Sequence, residues 1–273
     1  MPYRRVGGLR RGSMAIFAAL VAGSGPAAAQ EVAESSGLFG NRWQVGGFVF
    51  VSPKFEGASS YEVMGFPFVA PAGLGEDGLV QIKGADDVRF RLLRLDGLEL
   101  GPLAGYRFGR DDEDAAHLRG LGDVDGGLVV GGFAAYRMGP LAVSASYHHQ
   151  ATGDETGGLI RLNGEVVNRP AEGLKLTTDV GANYATDEYM TSFFGVSPAQ
   201  SIASRLPVFD PSAGFKDVYA GVTAAIDLDE RWSLTLTGRY SHLIGDAADS
   251  PIVESESQFF GGVGASYKFN LGQ

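Results

Sequence analysis

Gln258-Phe259-Phe260-Gly261-Gly262-Val263-Gly264-Ala265-Ser266-Tyr267-Lys268-Phe269 alternates along its length. Apolar Phe259, Val263, Ala265, Tyr267 and Phe269 fall on one parity, and Gln258, Gly262, Gly264, Ser266 and Lys268 on the other. A strand that crosses a bilayer at a tilt needs about 9–11 residues, faces lipid with every second side chain and carries aromatic residues where hydrocarbon meets headgroups. This segment meets all three requirements and reads as one wall of a membrane barrel.

The same period recurs upstream. Trp232, Leu234, Leu236 and Tyr240 alternate with Ser233, Thr235, Thr237, Arg239 and Ser241. Ile160, Leu162, Gly164 and Val166 alternate with Arg161, Asn163 and Glu165. Charges at every second position suit a wet lumen and not a dry core, which argues against a soluble lipocalin-like barrel. Further strands are expected at 42–51, 61–70, 79–83, 88–95, 98–108, 128–138, 141–150, 174–184 and 218–228, with Pro67 at a bulge or a gap in pairing because it cannot donate to a ladder. In the first of these, Phe48 and Phe50 blur the inner face. Asp96-Gly97 is a tight hairpin turn. The fold expected is all-β: an antiparallel up-and-down transmembrane β-barrel of about twelve strands, ten being the alternative count, with both termini periplasmic. Its edges must close, since unpaired backbone in lipid costs several kcal/mol per group. Links at 71–78, 96–97, 139–140, 169–173 and 228–231 then face the periplasm, and the longer polar links at 110–126, 187–214 and 244–257 face outward.

The N-terminus carries Arg4, Arg5, Arg10 and Arg11, an apolar run from Met14 to Gly23, and Pro26-Ala27-Ala28-Ala29. That is a secretory signal peptide over 1–29, cleaved between Ala29 and Gln30, followed by a periplasmic segment at 30–41 and a barrel domain at 42–273. The four signal arginines belong to the 22 Lys+Arg and none of the 32 acids lies there, so the mature chain stands at −14, four below the −10 of the full sequence. Nucleic acid is thereby a poor partner. A mean hydropathy of +0.01 fits a soluble protein and a barrel alternating between lipid and water equally and decides nothing, and the absence of cysteine leaves neither a lipid anchor nor a disulfide framework.

By parity Arg89, Arg91, Arg107, Arg137, Arg161 and Arg239 turn inward, with Glu99, Glu165 and Asp179 to face them. Such charges either neutralise one another and fill the interior or line a narrow pore for small anionic or polar solutes, since a barrel of about twelve strands lies between filled barrels and open porins. His148-His149 beside Ser144 and Ser146, and His242 beside Ser241, invite a Ser–His hydrolase reading, but no oriented carboxylate or oxyanion hole can be read, and histidines near the outer rim are the plainer reading. Asp111-Asp112-Glu113-Asp114, Asp246 and Asp249 read as solvated loop acids before they read as divalent-cation ligands bridging lipopolysaccharide, and Asp123 and Asp125 lack the spacing and bidentate Glu of a calcium loop. No catalytic residue, metal site or cofactor is assigned.

Several segments carry a resemblance. Tyr189 to Ser197 includes Phe193, Phe194, Gly195 and Val196; Ala213 to Asp217 follows; Gly245 to Val253 includes Asp249, Ser250 and Pro251. Together with Pro53 to Gly57, Gly101 to Arg110, Leu121 to Val124 and the terminal Tyr267-Lys268-Phe269, they resemble the MipA/OmpV family of outer-membrane proteins, named from MltA-interacting protein. Asn270 to Gln273 continue past the aromatic at which such barrels usually stop. The resemblance implies an outer-membrane location in contact with lipid and lipopolysaccharide. It also implies a non-enzymatic scaffold that joins a lytic murein transglycosylase to a murein synthase, with narrow solute or antibiotic passage as the alternative. The family has no agreed active site to carry over.

Overall fold

The computed structural model describes residues 41–72, 78–154 and 156–270; the signal peptide and the 30–41 segment expected above lie outside them, except for Asn41. The described chain is an antiparallel meander. Its strands are β1 (Arg42–Pro53), β2 (Tyr61–Pro71), β3 (Val80–Gly84), β4 (Asp87–Phe90), β5 (Leu93–Leu95), β6 (Leu98–Arg107), β7 (Gly127–Met138), β8 (Leu141–Gln150), β9 (Gly158–Ala171), β10 (Leu174–Ala185), β11 (Gly214–Asp227), β12 (Trp232–Leu243) and β13 (Ser257–Asn270). The expected strand at 88–95 is interrupted at Arg91-Leu92, and with its two pieces taken as one the wall has twelve strands. Links between β10 and β11 and between β12 and β13 fold into helices α1 (Asp187–Phe194), α2 (Pro198–Ser204) and α3 (Asp246–Asp249).

The first and last strands pair from Arg42↔Asn270 to Val51↔Gly261, so both ends of the sheet-forming chain meet at the same rim as the tight turns. One of these turns shows why the residues are there. Asp96 and Gly97 both take positive φ, 44° and 89°, the requirement of a two-residue turn whose twist matches the flanking strands.

Sidedness follows the alternation. Val63 and Val69 are 72% and 61% exposed, and Val49, Val130, Leu162, Val222, Leu236 and Val263 share their outward face. Aromatic pairs mark the two rims, Trp232 with Tyr267 at the turn end and Tyr240 with Phe259 at the loop end. Opposite parity buries Arg89, Glu99, Arg107, His148, Glu165 and Asp217. A soluble barrel would invert this arrangement, because apolar rows of this extent do not face water in a monomer.

The sheet order runs β2-β1-β13-β12-β11-β10-β9-β8-β7-β6-β4-β3, with β5 paired to β6. The expected closure is therefore not reached by a ladder: β2 and β3 are the two edges, and no pairing joins them among the described residues. Chemistry on the far wall explains it. The turn between β3 and β4 leaves the plane of the sheet and lies over the inner face of β6, where a Cβ on Gly105 would sit 2.5 Å from Asp86 Cα. From there Asp86 and Asp87 each meet Arg161 of β9 at 3.3 Å. Pro67 stands opposite Gly47 with the β1–β2 register unbroken, so no bulge is needed; it is accommodated in an edge strand.

Candidate functional site

The interior below the loops is a cavity of about 350 Å³ lined from eight strands and four of the connections between strands. Its roof is the dry core of the molecule. α1 begins at Thr186, whose side chain accepts from the Tyr189 N–H, and it presents Tyr189, Met190, Phe193 and Phe194 inward. These pack with Val124, Leu159, Ala185, Leu243 and Ala247. A second cluster joins Phe55, Ala58, Leu118, Leu121, Val196 and Ile252 from four different loops. The last carbonyls of a helix have no intrahelical partner. Here Arg110 Nη1 donates to the Phe193 carbonyl at 2.7 Å and Ser250 Oγ to that of Phe194 at 2.6 Å. The segments that carry the family resemblance are thus brought together: Phe193, Phe194, Val196 and Ser250 meet in the roof, while Gly195 ends α1 and Asp249 and Pro251 flank Ser250. Burial depresses the Arg110 guanidinium to about 10 and pushes the Tyr189 phenol up.

Beneath the roof a hydrogen-bonded chain crosses the lumen. The Tyr189 hydroxyl donates to Glu56 at 3.0 Å, and Lys216 Nζ donates to Glu56 at 2.8 Å and Asp217 at 2.5 Å. Asn183 donates to Asp217 at 2.7 Å and accepts from Arg161 Nε at 3.1 Å. Arg161 continues to Asp86 and Asp87, and Arg89 forks onto Asp87 at 2.8 and 2.9 Å. Nearer the turn end, Lys83 of β3 meets Glu165 of β9 at 2.7 Å across four intervening strands, and Arg137 meets the same carboxylate at 3.4 Å. Arg91 pairs with Glu99 at 3.1 Å and Arg239 with Asp179 at 3.0 Å. Arg107 lies over the Tyr189 ring at 4.9 Å, with Nη2 3.5 Å from the His148 carbonyl. Sequence parity missed Asp86, Asp87, Glu56, Lys216 and the roof helix. Ser197-Pro198 with Gln200, whose capping box opens α2, was the local signal of helix in that loop.

The histidines separate. His149 points outward beside Tyr147, and His242 stacks on Tyr240 near the rim. His148 does not: it is fully buried on the inner face, the expectation of a rim position failing because neighbours on a strand take opposite sides. Its Nδ1 donates to the Asp86 carbonyl at 3.1 Å, which leaves Nε2 to accept from Ser146 Oγ at 2.9 Å. Ser146 is itself buried, touched by Arg89 at 3.4 Å and set back from the cavity wall, so the pair serves the packing of the β3–β4 turn. The loop acids act as acceptors of backbone N–H groups, Asp123 from Asp112 at 2.9 Å and Asp246 from Ser212 at 2.8 Å. Among the described residues no group of three metal-ligating side chains is placed to hold an ion.

A lipid-facing exterior, a charged interior and a rim of loops opposite a rim of tight turns define a transmembrane β-barrel of the outer-membrane class. The family described as MltA-interacting protein MipA matches residues 45–269. The chain belongs to that family. Among its relatives, Outer membrane protein Omp26La of Vibrio anguillarum is 26% identical over 168 residues, 61% of this chain and 64% of that protein, just under two thirds of its length. Outer membrane protein OmpV of Vibrio cholerae is 26% identical over 202 residues, 71% of this chain and 75% of that protein. MltA-interacting protein of Escherichia coli is 28% identical over 97 residues, 36% and 39% of the two chains. The protein resides in the outer membrane.

Proposed function

We propose that this protein is a non-enzymatic and non-conducting outer-membrane anchor that holds a lytic murein transglycosylase, and with it a murein synthase, at the envelope. The observation that carries the reading is the way the interior is bridged by ion pairs and roofed at the loop end. Ion pairs from β3 to β9 and from the β3–β4 turn to β9 bridge the lumen, and two apolar clusters close the loop end. A barrel built so firmly against passage has its outer surfaces and rims left for work. The name of the Escherichia coli relative supplies the class of partner. With the loop end outward, the tight-turn rim and the 30–41 segment face the periplasm, where murein enzymes operate. Those turns are short, and a specific interface usually buries about 1,200–2,000 Å², so the 30–41 segment supplies part of the contact.

Tagged protein isolated in mild detergent should bring down a lytic transglycosylase, and removal of residues 30–40 should weaken that recovery. Solute or antibiotic passage would require the roof to open. Single-channel current from the purified protein, with no enzyme copurifying, would refute the anchor and favour passage.

A further inference from the structure

Most of the inner wall is polar, but not along the middle of β13, β1 and β2, between Glu62 and Gln258 at the loop end and Gln44 and Lys268 at the turn end. There Phe260, Phe48, Phe50, Phe66 and Phe68 turn inward beside Met64. Phe50 and Phe260 stand 5.5 Å apart, Phe48 and Phe66 6.0 Å, and Phe50 and Phe66 6.3 Å. Three glycines make the room: a Cβ would lie 2.7 Å from the Phe68 ring at Gly46, and 2.5 and 2.6 Å from the Phe48 ring at Gly262 and Gly264. The rings are seated against bare backbone. Apolar side chains do not gather on a hydrated surface without a reason, because leaving them in water costs free energy in proportion to their area. Phe66 remains 44% exposed although it shares the parity of the inner face.

The patch runs out at β2, which is a sheet edge. β3 has five residues against the eleven of β2, and its hairpin curls toward β9. Val63 and Val69 on the other face of β2 are lipid-exposed, and Pro67 within it has no N–H to leave unpaired. Apolar side chains therefore lie on both faces of the edge strand, and the lipid-facing surface continues round it into the lumen.

We propose that this wall is an acyl-chain site: one hydrocarbon chain of an outer-membrane lipid enters through the seam between β2 and β3 and lies along the inner phenylalanines. Continuity with the lipid-facing surface selects the occupant, as does the chemistry, since aromatic rings on glycine backbone offer area for dispersion contact and no charge for a polar solute to answer. The site is independent of any partner at the turn rim.

Bromine on lipid acyl chains quenches tryptophan only on contact, which provides the test. With Trp43 and Trp232 replaced by Phe, single tryptophans are introduced as Phe66→Trp, as Val63→Trp on the lipid-facing side of the same strand, and as Phe133→Trp on the inner face of β7. Each variant is reconstituted in phosphatidylcholine brominated on its chains, after folding is verified by heat-dependent migration in gels; Phe68→Trp replaces Phe66→Trp if the latter does not fold. The expected result is loss of emission from residue 66 to the same extent as from residue 63, with residue 133 unaffected. Emission at 66 no more quenched than at 133, or quenched by aqueous acrylamide instead, overturns the proposal. Quenching at 66 that arises only after deletion of residues 30–40 would seat the chain's own segment there. Disulfide-linked dimers of Val63→Cys with residue 66 unquenched would seat a second copy. Either result overturns it as well.

Discussion

At the scale of single residues the interior behaves as a set of paired charges with few spare partners. Arg161 holds two carboxylates, one of them on the fully buried Asp87, and it is joined to Asn183 as well. Removing one member of a buried pair leaves the other uncompensated. Arg161→Met should therefore cost about 3 kcal/mol of stability, measured by urea unfolding in micelles, and should free the β3–β4 turn. Ser250→Ala removes the donor that satisfies the Phe194 carbonyl and should cost about 1–2 kcal/mol, with faster protease nicking between 195 and 213 as the readout. Alternation was enough to single out Arg137, Arg161 and Arg239 as one set. It could not name Asp86 and Asp87 as partners of Arg161, because Asp86 lies in a turn, where parity has no meaning, and because alternation does not say which strand lies across the lumen.

At the scale of elements the strands follow from period and turn chemistry, and the loops do not. Asp96-Gly97 is legible because a two-residue turn demands positive φ; Gly97→Ala would place its Cβ 2.5 Å from the Arg137 carbonyl and should destabilise by about 1–2 kcal/mol, read as a lower melting temperature. The link at 187–214 reads as polar, yet α1 buries four side chains in it. Eight residues are too few for a helix to announce itself by periodicity, and its hydrophobic partners come from loops far away in sequence. Glu254 ties two such loops: it accepts from the Ser59 N–H at 3.0 Å and from its hydroxyl at 2.9 Å. The N–H of Ser59 holds this carboxyl below its ordinary value of 4.5. A depressed folded value means that the contribution is present at neutral pH and fades as pH falls through that value. Amides of residues 54–60 should accordingly show lower protection factors in acid than at pH near 7, once the intrinsic exchange rate at each pH is divided out, and Glu254→Gln should flatten the difference.

At the scale of the whole molecule, the wall was legible and its closure was not. Val and Leu rows opposed to charged rows specify a surface for lipid and a surface for water, and with the turns counted they point to about twelve strands, ten being the other count. They hold no term for the pull of Arg161 on a short hairpin, which takes β3 out of line with β2. Phe48 and Phe50 looked like noise in the first strand for a similar reason: the glycines that receive Phe48 lie more than two hundred residues later, on β13. The chain as a whole should need amphiphile to stay folded. Purified protein that remained monomeric in plain buffer, with its valine rows shielded from solvent, would contradict the arrangement.

The pairing of β1 with β13 has a bearing on biogenesis. Gly57 and Ala58 wait for Gln258, and Ser59 for Glu254, so β1 has no sheet partner but β2 until the final strand has been delivered. A nascent chain halted before Ser257 would leave β1 and β12 unpaired in addition to the edges at β2 and β3, and quality-control proteases should clear it. The β1–β13 ladder can form only once the carboxyl-terminal strand is in place, so insertion should be completed by that strand.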